Sequence, residues 1–209
     1  SDPPVLPKGM KQKHQLGKNG RVVLRVPEQV TGVTVHQTAC IFGPLEKPEE
    51  RYRRSLNVAC HALAFNDGVI GFPNPPLWYV WHGNGFNASE VGLEIEGSFP
   101  GLHQPPRNPR GPSAGNAQEV VIETAREALR ILVERARSLG CPVEKIHAHR
   151  QSSGSRRSDP GELLWKEVVL AYAVPVLKLR TEPALTLDSK SGKGRPIPVE
   201  WDPAGFGRY

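Results

Sequence analysis

Cysteine is scarce. Cys40, Cys60 and Cys141 are the three in 209 residues, and none stands in a Cys-x-x-Cys pair. An odd, scattered set excludes a disulfide framework and a zinc module built on four thiolates, leaving room for one bridge at most. Long apolar runs are missing as well. The longest, Val168 to Leu177, is ten residues with Pro175 inside it, too short to span a bilayer. No basic-then-apolar leader is present, and the chain opens Ser1-Asp2-Pro3-Pro4 without an initiator methionine. It reads as a processed or trimmed product, and the missing signal leaves its destination open. There is no internal repeat, RNP-like segment, zinc finger or helix-turn-helix pattern, so specific nucleic-acid binding has no motif to rest on.

Glycine and proline are plentiful at 21 each, 42 of 209 or about a fifth. The usual share is about 12%, and low-complexity chains begin near 25–30%. With 38% hydrophobic residues the chain still buries a core, so it reads as a loop-rich globular protein of one domain with extensions. Its net charge of +6 and pI near 9.4 suit a polyanion such as nucleic acid, anionic lipid or an acidic wall polymer, without choosing among them.

Residues 1–19 are polar and basic and read as an arm, on the surface or disordered; 20–180 form the domain; 181–209 form a tail or docked extension anchored by Ile197, Trp201 and Phe206. Short β-branched runs predict strands at 21–26, 32–36, 58–65, 69–72, 77–81, 91–95 and 143–149, with a tight turn at Asn66-Asp67-Gly68. Pro48 with Glu49 and Glu50 opens a short helix to about Leu56. A long helix from about Asn116 to Leu139 follows from Val121, Ala125, Ala128, Leu129, Leu132, Ala136 and Leu139. Asn116 with Glu119 starts it and Gly140 with Pro142 stops it. A second helix runs from Gly161 to about Ala173, and the Gly- and Pro-rich stretch 97–115 is a long loop. The interleaving predicts an α/β domain with a single mixed central sheet flanked by helices.

Three of the seven histidines, His36, His147 and His149, fall in or at the end of predicted strands, and Asp159 follows His149 by ten residues. Two imidazoles and a carboxylate make a three-ligand zinc site with a fourth position for water, although many proteins contain two histidines and an aspartate. The segments VTVHQTA (33–39), VGLEIEG (91–97) and HRQSSGSRRSDPG (149–161) resemble successive motifs of the zinc-dependent N-acetylmuramoyl-L-alanine amidases. This is the family shared by phage endolysins, muropeptide amidases and peptidoglycan recognition proteins. His61, Trp81-His82, Asn84, Asn87 and the long helix add to the likeness, which covers about residues 20–177.

The resemblance implies that His36, His149 and Asp159 bind Zn²⁺, with His147 a structural neighbour. It implies that Glu94 carries the proton from water to the leaving amine, and that zinc makes that water acidic near pH 7. Arg157 stands where the family commonly has lysine, as the cation beside the reacting carbonyl. His61, Trp81, His82 and Asn87 become candidates for glycan or stem-peptide contact; for Trp81 a packed core position is an equal reading. Ala62 and Gln37 depart from the family pattern, on what is expected to be the substrate wall. His103 receives no role. The implied activity is hydrolysis of the bond between N-acetylmuramic acid and L-alanine in peptidoglycan or muropeptide, at the cell wall. The alternative is a non-catalytic peptidoglycan-recognition module of the same fold, which the complete ligand set argues against.

Overall fold

The structure is a computed structural model and describes residues 11–43, 46–99, 116–186 and 193–205. The greater part of the expected 97–115 loop, with His103, lies outside these residues, as do Phe206 and the Asn116 side chain.

The elements in chain order are β1 (Gly32–Gln37), α1 (Pro48–Ser55), β2 (Ala62–Ala64), β3 (Ile70–Gly71), β4 (Glu90–Ile95), α2 (Asn116–Ser138), β5 (Lys145–Ala148), α3 and β6 (Arg180–Thr181). The helix α3 begins as Glu162–Leu164 and continues with π-helical spacing over Trp165–Ala173. The strands form one sheet in the order β3-β2-β4-β1-β5-β6. β3 is antiparallel to β2 across the Asn66–Gly68 turn, and every other pair is parallel.

Side chains alternate across a strand, and here the alternation separates packing from chemistry. Val33, Val35, Val91, Leu93, Ile95, Ile146 and Ala148 join one core cluster with the buried stripe of α2 and with Trp165, Val168 and Val169 of α3. The opposite face carries Thr34, His36, Glu90, Glu94 and His147, polar groups arranged along the three central strands. The α2 stripe includes Ile122 and Val133, while Leu139 lies past the helix end and is 45% exposed.

Two expected strands, 21–26 and 77–81, do not enter the sheet. An isolated antiparallel bridge joins them at Leu24 and Trp78, and a second ties 77–81 to the arm at Val80 and His14. Residues 13–15 are thereby tied to the domain by main-chain bonds to 79–81, and His14 is buried. The strand expected at 58–65 begins pairing at His61, whose N–H donates to Gly92 O (2.9 Å). Before that, Val58 N–H closes back on Ser55 O (2.9 Å). The strand expected to reach His149 stops at Ala148, because the chain turns into a 3₁₀ helix over His149–Ser152. Gln151 Oε1 accepts the Ala148 N–H there (2.9 Å). All three cysteines are free.

Candidate metal centre

The sheet is open and mainly parallel, and chemistry in such sheets gathers outside the carboxyl ends of the strands. His36 sits one residue before the end of β1, with Glu94 of β4 directly across from it in register. β5 delivers His149 beside them on its first residue past the strand. Asp159 closes the following loop, its main-chain oxygen accepting Arg150 N–H (3.0 Å). Gln37 N–H holds Asp159 Oδ1 (3.0 Å), which leaves Oδ2 to face the two histidines.

The hydrogen bonds around the rings assign the protons. The main-chain oxygen of Glu90 only accepts, so His82 Nε2, 3.0 Å away, is the donor. His82 Nδ1 is then an acceptor, and His36 Nε2 donates to it across 3.1 Å. That leaves a lone pair on His36 Nδ1. His149 reaches the same state, because its Nε2 faces the acceptor Asn84 Oδ1 at 2.7 Å.

Three acceptors therefore converge. His149 Nδ1 lies 3.0 Å from His36 Nδ1 and 3.0 Å from Asp159 Oδ2, and His36 Nδ1 lies 3.8 Å from the same oxygen. In these tautomers no proton lies between them, and three lone pairs this close repel unless a cation shares them. Ligands about 2.0–2.1 Å from a tetrahedral zinc stand about 3.3 Å apart, so the nitrogen and oxygen donor set fits zinc in type and in spacing. Among the described residues this is the group of histidine, cysteine and carboxylate side chains that could hold a metal.

Electrostatics agree. Burial, then the His149 charge, lowers His36 to about 4 against the pull of Asp159, so the ring is neutral at pH 7. Burial opposes ionisation of Asp159, yet the His149 and His36 rings facing it outweigh that and hold the carboxyl below its ordinary range. Glu94 is the opposite case: burial, then the Asp159 charge, pushes it well up, with Arg156 opposing. Glu94 Oε1 lies 4.0 Å from His36 Nδ1, and its buried Oε2 has no hydrogen-bond partner.

The other expected site residues take these places in the structure. His61 is completely buried, with Nδ1 accepting Gly92 N–H (2.9 Å) and Nε2 donating to Trp78 O (3.0 Å), so it offers nothing to a ligand. His82 is buried as the partner of His36 and packs directly on β4; a Cβ at residue 92 would lie 2.7 Å from its ring, which requires Gly92. Asn87 closes the 84–86 turn through Gly83 N–H (2.6 Å). Trp81 is 43% exposed and does not belong to the core. Gln37 spends its side chain on Ser158 O (2.7 Å) and Phe99 N–H (2.8 Å), holding loops together. His147 bonds Glu90 and stacks on Phe86, away from the three ligands. The main-chain oxygen of Arg157 accepts from the Arg150 guanidinium, and the charge of its neighbour Arg156 is felt at His36 and Glu94.

Motif order pointed to Asn84 without a role for it, and it gave Arg156 no role. Asn84 lies 65 positions from His149, and no local pattern links them.

A profile of the family described as N-acetylmuramoyl-L-alanine amidase matches residues 26–162. Comparison with curated protein sequences gives no match. Among solved structures, the chain is similar to Drosophila peptidoglycan recognition protein SD, at 18% identity and a TM-score of 0.52, over 80% of this chain and 91% of that one. That likeness shows the fold. The amidase LysC from Clostridium intestinale URNW aligns at 15% identity and TM-score 0.46 over 76% and 91% of the two chains. PlyL aligns at 20% identity and TM-score 0.48 over 80% and 89%.

Proposed function

The chain belongs to the N-acetylmuramoyl-L-alanine amidase family, and from that premise we propose that it is a zinc-dependent hydrolase of the amide between N-acetylmuramic acid and L-alanine. Peptidoglycan or its soluble muropeptides are the substrate class, and the cell wall is the place of action. The observation that carries the reading is the convergence of three lone pairs, on His36, His149 and Asp159, with no proton to share.

His36, His149 and Asp159 would hold the metal. When bound, zinc supplies Lewis acidity, polarising a carbonyl and lowering the pKa of water to about 7. The protein's own part is proton management and orientation. His82 and Asn84 keep both ligand rings in the tautomer that presents Nδ1. Glu94 is poised for transfer: burial raises its pKa and so its affinity for a proton, and its unpartnered Oε2 is free to hand that proton to the departing alanine nitrogen. Arg156, whose charge is felt at Glu94, and Arg157, at the family's lysine position, are the candidate cations for an oxygen that gains negative charge. Trp81, half exposed, is the candidate for contact with the glycan or stem peptide.

The test is digestion of purified peptidoglycan with and without a chelator, followed by mass analysis of the products. Chelator-sensitive release of peptides with free L-alanine amino termini supports the amidase. Binding without cleavage contradicts it and identifies a recognition module of the same fold.

A further inference from the structure

The loop bearing two of the three ligands has almost no apolar grip of its own. Between His149 and Asp159 it reads RQSSGSRRS, so it cannot be fixed by burying hydrophobic side chains. Its carbonyls still need donors. Three of them find those donors in chain that follows α3, past residue 162 where the family profile ends. Arg195 N–H donates to Arg150 O (2.8 Å), Leu185 N–H to Gln151 O (2.8 Å), and Arg195 Nε to Gly154 O (2.8 Å). The loop reciprocates: Gln151 Nε2 donates to Glu182 O (2.8 Å) and Arg150 Nε to Pro196 O (2.9 Å).

The crossing is close enough to dictate a residue. A Cβ at position 194 would lie 1.9 Å from Gln151 O, so only glycine passes there. The segment also packs on the turn that carries Asn84, where a Cβ at Gly85 would lie 2.6 Å from Leu185 Cδ1. Gly85 follows Asn84, the acceptor for His149 Nε2. Ile197 and Trp201 sink into the main core, and the Arg150 guanidinium lies 5.1 Å from the Trp201 ring centroid. The segment is thus anchored at one end and bonded to the loop along its path.

We propose that the stretches 182–185 and 194–201 form a strap that pre-organises the ligand loop, with Gly194 and Arg195 as its positioning residues. This rests on the zinc-amidase reading for its functional consequence. Neither residue touches a ligand side chain; they act by fixing the backbone that aims His149 and Asp159. The strap is therefore part of the metal site's supporting structure, although it lies outside the profile that defines the family.

The experiment uses the full chain with Gly194→Ala and, because that change is sterically severe, Arg195→Ala as the milder variant. Zinc affinity is read by competition with a chromophoric chelator, and amide hydrogen exchange is read on the zinc-free protein. Loss of outer supporting bonds commonly weakens metal binding about 10- to 100-fold. Both variants should show that loss, with faster exchange over 150–159 and unchanged exchange in β1, β4 and α2. Wild-type zinc affinity together with wild-type exchange over 150–159 in the two variants overturns the proposal. If the unaltered chain binds no zinc, the metal reading fails instead, and the exchange measurement still decides whether the strap orders the loop.

Discussion

Replacing His82 with alanine should cripple zinc binding although His82 touches no metal. His82 Nε2 is fixed as donor by Glu90 O (3.0 Å), so its Nδ1 must accept from His36 Nε2 (3.1 Å). Alanine removes that acceptor and frees the His36 ring to place its proton on Nδ1, the atom that must be bare. Burial, then the charges of His36 and His61, holds His82 well below its usual pKa, so the relay operates with a neutral ring at pH 7. Loss of such a partner typically costs 10- to 100-fold in metal affinity, about 1.4 to 2.7 kcal/mol. Gly92→Ala should act in the same direction with His82 intact, since the new Cβ would meet the ring at 2.7 Å. Chelator competition gives the affinity, and ¹⁵N spectra of the imidazoles give the His36 tautomer. Wild-type affinity in His82→Ala, with His36 still protonated on Nε2, refutes the relay.

Other outcomes follow from the same geometry. Glu94→Ala should retain zinc yet lose about 10²- to 10⁴-fold in turnover; parallel metal analysis and single-turnover cleavage separate the two. Arg156→Ala should lower turnover more than Arg157→Ala, because Arg156 is the charge felt by Glu94, and steady-state kinetics on both variants decides the order. Stability of the zinc-free chain should fall with acid. His36, His61 and His82 have folded pKa values below their unfolded ones. Their stabilising contribution is thus full above about pH 6.5 and is lost as pH drops toward the folded values. Glu94, raised in the folded state, returns part of this as pH falls. Three histidines against one carboxyl leave a net loss of stability as pH falls below about 6.5. Urea unfolding across that window measures it, and a chain that gains stability on acidification contradicts the buried neutral histidines.

What could be read in advance had local causes. The α2 stripe, the Asn66–Gly68 turn and the apolar runs of β1 and β4 are short-range patterns, and all stand in the structure. His36, Glu94, His149 and Asp159 were legible through motif order, and the parallel register of β1 with β4 and β5 explains their meeting. The remainder depends on partners far apart in the chain. His61 and His82 looked like groove residues because nothing local reveals that Gly92 N–H and His36 occupy their nitrogens. The bonds of Gln37 to Phe99 and to the backbone beside Asp159 likewise have no local signal. Arg156 and Arg157 are adjacent, and only the path of the loop separates their targets. The strap was invisible for the same reason: Gly194 matters through one carbonyl 43 residues earlier, at Gln151.

The central claim, that His36, His149 and Asp159 bind zinc, is tested most directly by titrating the metal-stripped chain with zinc while following the imidazole ¹⁵N signals. The account predicts saturation at one zinc per chain, with the Nδ1 resonances of His36 and His149 shifting together and His147 unmoved. It also predicts that Asp159→Asn weakens the binding while leaving the fold in place. Absence of stoichiometric binding, or binding that leaves the His36 and His149 Nδ1 signals where they were, would contradict it.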